Sequence, residues 1–364
     1  MVGDYSKNIP SNYLYPRHRG FTLKRYGYLY EKVYDFENLH DAYLKARKSK
    51  RYQPEVIKYT SNLEENLIVL QNELIWKTYS PRTVREFFVY IPKERLISAP
   101  AFYDRVLHHA VNNIIEPIFD STFVYHSYAC RAGKGTHAGV AVLTKYLRKT
   151  TVKYDRVYCL KCDISKYFPS IDRNILFSII EKKIKDPDLL WLIKKILDGN
   201  QGETGIGIGS LTFQLFANVY LSELDHFIKE RLRIKYYIRY MDDFIVLGPD
   251  KAELHKIRGE VEEYLWHRLR LKTNSKTQVF PISNGISFLG YRVWLTHRLL
   301  KSDTKKRIKK TMRGFMRLYK RSKISFDRID STIQSYLGHI KHANSYKFKR
   351  KLFNWFVLVR GNKQ

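Results

Sequence analysis

The chain is poor in cysteine: three residues, Cys130, Cys159 and Cys162, in 364. So sparse and odd a set excludes a disulfide scaffold and fits a reducing compartment. Cys159-Leu160-Lys161-Cys162 is a lone CxxC in a strand-like run, with no second pair to complete a zinc site. Acids are scarce too, 35 against 66 Lys and Arg. No apolar run reaches the ~18 residues that a membrane span needs. Met1 to Pro16 lacks the apolar centre of a signal peptide. No repeat or low-complexity linker divides the chain, so its subdomains are expected to pack as one body. Together these absences lead to the expectation of a cytoplasmic protein with no membrane partner.

What is present points to a polyanion. The formal net charge is +31, and charge of that size speaks about partners rather than fold. The 28 Tyr and 20 Phe suit stacking on bases and sugars. From Lys301 to Lys323 there are 11 Lys or Arg and one acid, with Ile308, Met312, Phe315, Met316 and Tyr319 at helical spacing. That is a basic amphipathic helix. By itself it also fits a non-catalytic RNA-binding scaffold.

Tyr240-Met241-Asp242-Asp243 lies between two β-prone runs, Tyr236 to Arg239 and Phe244 to Gly248. The pattern predicts a β-hairpin with two carboxylates at its tip. Adjacent buried acids are costly unless paired or metal-bound. A third acid, Asp163, ends the strand-like run Arg156 to Ile164, ahead of a turn and a helix from Arg173. If the strands lie side by side, the three acids meet. An all-oxygen ligand set suits Mg²⁺, with Mn²⁺ as a substitute. Two such ions roughly 4 Å apart clamp the attacking and leaving oxygens of a phosphoryl displacement.

Elsewhere, Leu63, Leu67, Leu70 and Leu74 form a helical stripe, as Phe36, Leu39, Tyr43 and Leu44 do before them. Val84–Ile91 and Leu96–Ser98 read as a basic hairpin. Asp104–Ile115 reads as a helix whose His108 and His109 diverge too far to share a metal. Five glycines between Gly199 and Gly209 form a loop that opens a helix running to Lys229. Gln278–Pro281 and Ile286–Trp294 read as two short strands, and an aromatic, basic tail follows a helix over Asp327–Ile340.

From about Tyr26 onward the chain resembles the reverse transcriptases, block by block. Arg95-Leu96-Ile97-Ser98 with Asp104-Arg105 is similar to the first block, and Ser127 to Arg131 with Gly133 to His137 to the second. Asp163 through Phe168-Pro169-Ser170-Ile171-Asp172 is similar to the third, and the glycine-rich loop with Gln214 to the fourth. Tyr240 to Asp243, Leu271 to Thr277, and Phe288-Leu289-Gly290-Tyr291 complete the series. The resemblance implies an α+β right-hand polymerase. Residues 1–26 would be an extension, 27–150 fingers (with part of the palm near 92–115), 151–300 palm and 301–364 thumb. Its substrates would be template RNA, an RNA/DNA hybrid and deoxynucleoside triphosphates.

The resemblance also implies roles. Asp163, the adjoining Ile164, Asp242 and Asp243 would hold two Mg²⁺ ions. Lys93 and Arg95 would grip the triphosphate, Phe168 would exclude a ribose 2′-hydroxyl, and Lys276 would protonate pyrophosphate. Ile208 and Gln214 would lie against the nascent base pair. Tyr240, Met241, Phe288, Leu289, Gly290, Tyr291, Arg131 and Lys134 would support primer or template.

Several segments resemble the diversity-generating retroelement branch, whose enzymes misincorporate opposite template adenine during mutagenic retrohoming. They are Lys24 to Lys32, Tyr128 to Arg131 with Lys134 to His137, Ile208 to Thr212, and Tyr336 to His339 with His342 to Tyr346. That branch implies a prokaryotic or phage-encoded enzyme and a small basic pentameric accessory protein. Phe213 stands where the branch usually has Ser, which predicts bulk beside the template, and Gly207 stands where it usually has Pro. The alternative is a defence-associated or free-standing group II intron-like enzyme of ordinary fidelity. No RNase H acid constellation and no Cys/His block after the thumb is seen.

Overall fold

The structure is a computed structural model and describes residues 24–90, 94–199, 202 and 204–360. The extension expected over 1–26 lies almost wholly outside them, and Lys93 lies outside them too.

Four helices open the described chain: α1 (Tyr30–Tyr34), α2 (Phe36–Ala46), α3 (Pro54–Ser61) and α4 (Leu63–Ile75). The Asp35 carboxylate caps α2 by accepting from the Asn38 amide at 3.2 Å. Pro54 opens α3, where an N–H would have no helical partner. Leu67, Leu70 and Leu74 are fully buried, as their spacing predicts. Phe36 and Leu44 are not; Ala42 and Ala46 take the inner face of α2 beside Leu39 and Tyr43. A hairpin follows, β1 (Arg85–Val89) against β2 (Arg95–Ala99), and then α5 (Phe102–Asp120), longer than its apolar spacing predicts.

α6 (Thr136–Lys153) precedes the central strand β3 (Tyr158–Asp163). The turn after β3 contains a short helix, α7 (Tyr167–Ser170), and leads to α8 (Arg173–Glu181) and α9 (Pro187–Asp198), capped by Asp172 and Asp186. α10 (Leu211–His226) emerges from the glycine-rich loop and ends in a π-helical turn. β4 (Tyr237–Tyr240) and β5 (Asp243–Gly248) form the predicted hairpin, and α11 (Lys251–Leu269) leads to β6 (Gln278–Pro281). These strands make one antiparallel sheet in the order β4-β5-β3-β6.

Both faces of that sheet are covered. Leu160, Cys162, Tyr237, Phe244 and Val246 join a core with α5, α8, α10 and α11. Cys159, Ile238, Ile245 and Leu247 join a second core with α6. Cys159 and Cys162 thus sit on opposite faces, both free, which rules out a metal shared between them.

Ile286–Trp294 is not a single strand. β7 (Ile286–Phe288) and β8 (Tyr291–Val293) fold back on each other over Leu289-Gly290, both at positive φ. β9 (Arg298–Leu300), which the sequence pattern did not reveal, completes a third antiparallel sheet, after the β1–β2 pair and the central one. The basic segment is α12 (Ser302–Lys320), seated on Ile308 and Met312. α13 (Phe326–Ile340) follows, and the expected tail contains a further helix, α14 (Tyr346–Trp355). The chain is α+β, with antiparallel sheets flanked by helices.

Candidate active site

The register of the central sheet places Asp163 directly opposite Asp243. Asp242 occupies the adjoining turn, where its carbonyl accepts from the Ile164 amide at 3.3 Å. Burial, then the charge of Asp163, raises the Asp242 carboxyl above its ordinary range, with Arg95 and Lys161 opposing. Burial raises Asp243 to about 6 despite the charge of Lys161. The Lys161 ammonium donates to Asp243, and the Asn274 amide donates to Asp163. As they stand, no three acid, His or Cys side chains among the described residues close around one point. The donor set nevertheless fits divalent metal: hard carboxylate oxygens gathered at one sheet end, with an ammonium already standing against Asp243 as counter-charge.

The turn that carries Asp242 is tethered from inside. Met241 adopts φ +55°, and its carbonyl accepts from Arg239 at 3.1 Å. Arg239 is fully buried and forms a fork with Asp225, at 2.7 and 2.5 Å. Tyr237 donates to the same carboxylate at 2.6 Å. Asn218 accepts from Arg239 at 3.2 Å and donates to the Ala129 carbonyl at 2.8 Å, joining α10 to the second block. Arg239 and Asp225 escaped the sequence reading because a buried ion pair leaves no periodic signal. Lys161 was visible in principle: two residues before Asp163, it shares that strand face.

Around the acids the predicted residues divide. Arg95 opens β2, exposed, close enough for its charge to reach Asp242. Phe168 is half-buried in α7, edge-on to Tyr167 at 5.6 Å, and its carbonyl accepts from Ile206 at 3.1 Å. Ile208 is pinned to β2 through Ser98 N–H to its carbonyl at 3.0 Å. Gly209 (φ +133°) passes so close to β2 that a Cβ would lie 3.2 Å from the Ser98 oxygen. Gln214 accepts from the Cys130 thiol at 3.4 Å. Phe213 departs from expectation: it is buried, edge-on to His108 at 5.8 Å, rather than placed beside a template. Lys276 is exposed, and its amide donates to the Asn274 side chain at 2.7 Å.

Phe288 and Tyr291 are buried beneath the β7–β8 turn, while Leu289 and Gly290 form it. The Tyr291 hydroxyl donates to the His339 carbonyl at 2.8 Å, tying this turn to α13. Tyr240 ends β4 opposite Asp243. Arg131 does not present a free guanidinium: it binds Asp120 at 2.5 Å and the Val124 and Ser127 carbonyls. Lys134 donates to the Tyr125 carbonyl at 2.9 Å and lies over that ring.

Residues 91–293 match the family model for reverse transcriptase (RNA-dependent DNA polymerase). Protein YkfC of Escherichia coli is 26% identical over 278 residues, 64% of this chain and 72% of YkfC. The group II intron-encoded protein LtrA of Lactococcus lactis is 23% identical over 333 residues, 70% of this chain, which spans about half (54%) of LtrA. Apo telomerase from Candida tropicalis superposes with a TM-score of 0.48 at 13% identity, covering 78% of this chain and 65% of telomerase. With over half its length matched and the three acids gathered at one sheet end, the chain belongs to the reverse transcriptase family, the RNA-directed DNA polymerases.

Proposed function

We propose that the chain extends a primer along an RNA template by nucleotidyl transfer at Asp163, Asp242 and Asp243, with residues 27–150 as fingers, 151–300 as palm and 301–364 as thumb. The observation that carries this function is the pairing of Asp163 with Asp243, with Asp242 on the adjoining turn. Two Mg²⁺ ions, held by these acids beside Ile164, would supply activation of the primer 3′-hydroxyl and neutralisation of the departing pyrophosphate. Arg95 grips the triphosphate through its planar fork of donors. Phe168 closes against the 2′-carbon of the sugar. Lys276 delivers a proton to the leaving pyrophosphate. Gln214 and Ile208 bear on the new base pair, and the Leu289-Gly290 turn supports the primer end. The basic face of α12 follows the duplex phosphates.

Within the family we place the chain in the diversity-generating branch, with a small basic accessory protein as partner. Two segments that resemble the branch, some 200 residues apart, meet: His137 stacks on His342 at 3.7 Å. The inward packing of Phe213 also removes the bulk that its departure from the branch predicted beside the template. The test is to supply primed RNA, deoxynucleotides and Mg²⁺ and sequence the cDNA. Mixed bases opposite template adenine support the branch. Faithful cDNA assigns an enzyme of ordinary fidelity, and no extension on any primed RNA overturns the polymerase function.

A further inference from the structure

We propose that a pocket at the junction of α6, the β8–β9 turn and the α13–α14 connection binds a nucleic-acid phosphodiester outside the polymerase cleft. Its lining is Thr144, Arg148, Thr296, His297, Arg298 and Asn344. None of these side chains is an acid. The Thr144 hydroxyl is spent on the Val140 carbonyl at 3.0 Å and Thr296 pairs with His297 Nδ1 at 3.0 Å, which leaves Arg148, Arg298 and Asn344 as the free donors.

The pocket is built from three separate elements. Thr144 and Arg148 are one turn apart on α6 and so share a face. Thr296, His297 and Arg298 come from the turn into β9, and Asn344 follows α13. Asn344 holds the parts together: its side-chain oxygen accepts from the Arg298 backbone N–H at 3.1 Å, and its own backbone N–H donates to the Arg298 carbonyl at 2.8 Å. With that oxygen committed, its side-chain nitrogen is left as a donor. His297 stacks flat on Trp294 at 4.7 Å, and Arg292 lies over the same indole at 5.2 Å.

The guanidiniums of Arg148 and Arg298 form no ion pair or side-chain hydrogen bond with other described residues. Two unpaired guanidiniums in one pocket repel each other unless an anion sits between them. Their planar forks match phosphate oxygens. The pocket lies at the opposite end of β8 from the Leu289-Gly290 turn, so it is distinct from the primer support. The phosphodiester can come from single-stranded RNA flanking the template or from the product duplex. The site adds to the proposed polymerase function and does not share its residues.

The test is fluorescence anisotropy of Arg148→Gln/Arg298→Gln across a salt series. One arm uses single-stranded RNA, the other an RNA/DNA primer–template. The double variant is expected to flatten the slope of log affinity against log salt by about 0.7 to 0.9, the value for one lost phosphate contact. Flattening in the first arm assigns flanking RNA, and flattening in the second assigns the duplex. First-nucleotide incorporation at saturating primer–template stays unchanged, which separates this site from the catalytic function. Unchanged slopes in both arms overturn the proposal, as does equal flattening by the charge-matched Lys48→Gln/Lys58→Gln control.

Discussion

Asp163 and Asp243 stand directly opposite each other across β3 and β5, with the Asp242 turn beside them. Burial raises the Asp242 and Asp243 carboxyls against ionisation, and Asp163 adds to the shift. A divalent cation held there, as proposed, would relieve that cost in the folded state alone and so stabilise the fold. Saturating Mg²⁺ is expected to raise the melting temperature by a few degrees. The shift should vanish in Asp163→Asn/Asp242→Asn, as read by differential scanning fluorimetry.

Arg239 joins the fully buried Asp225 to the Met241 carbonyl. Arg239→Met alone leaves a buried, uncompensated carboxylate and should cost ~3–5 kcal/mol in chemical denaturation. Arg239→Met with Asp225→Leu removes both charges and should recover most of that loss. The turn still lacks its donor, so the double variant is expected to bind primer–template normally and incorporate nucleotides at least tenfold more slowly. Wild-type incorporation by the double variant would show that Arg239 serves stability alone.

Phe168 sits half-buried, braced edge-on by Tyr167. In the proposed role Phe168 borders the 2′ position of the sugar, and Phe168→Ala would open space there. Discrimination against ribonucleotides is expected to fall on the order of ten- to a hundredfold, the scale of a single apolar pocket contact. Competition between matched deoxy- and ribonucleotides measures it.

His108 is buried between the Thr212 and Ser210 hydroxyls, at 2.8 and 2.9 Å. Burial, then the charge of His109, lowers its pKa from 6.5 to about 4. The unfolded chain therefore binds more protons than the folded one between these values. Stability from this group is complete above the unfolded pKa near 6.5 and falls as pH drops towards 4. Urea denaturation at pH 5 and 7 should show a loss at the lower pH, and the loss should be smaller in His108→Gln.

Most of the acid site was legible in the sequence because it depends on local pattern. Short β-prone apolar runs end in acids, and the acids fall at or beside strand termini. The Leu67, Leu70 and Leu74 stripe was legible for the same reason. What was missed depends on tertiary partners. Nothing local marks Asp225 as the mate of Arg239, or Asn274 as the mate of Asp163. The apolar run Ile286–Trp294 hid a reversal because Leu289, rather than an Asn or Asp, takes a positive φ before Gly290. The Lys and Arg residues of α14 mask the spacing of Phe348, Leu352 and Trp355, so its sequence alone reads as a basic tail. No local signal shows that the packing of α10 against α5 turns Phe213 inward onto His108.

The most direct test is single-nucleotide extension of a primed RNA by wild-type protein and Asp242→Asn, with and without Mg²⁺, alongside RNA binding. Mg²⁺-dependent extension is expected from the wild type. Asp242→Asn should lose it by at least a thousandfold and keep its affinity for RNA. Extension by Asp242→Asn at a rate near wild type would contradict the carboxylate site as the seat of catalysis.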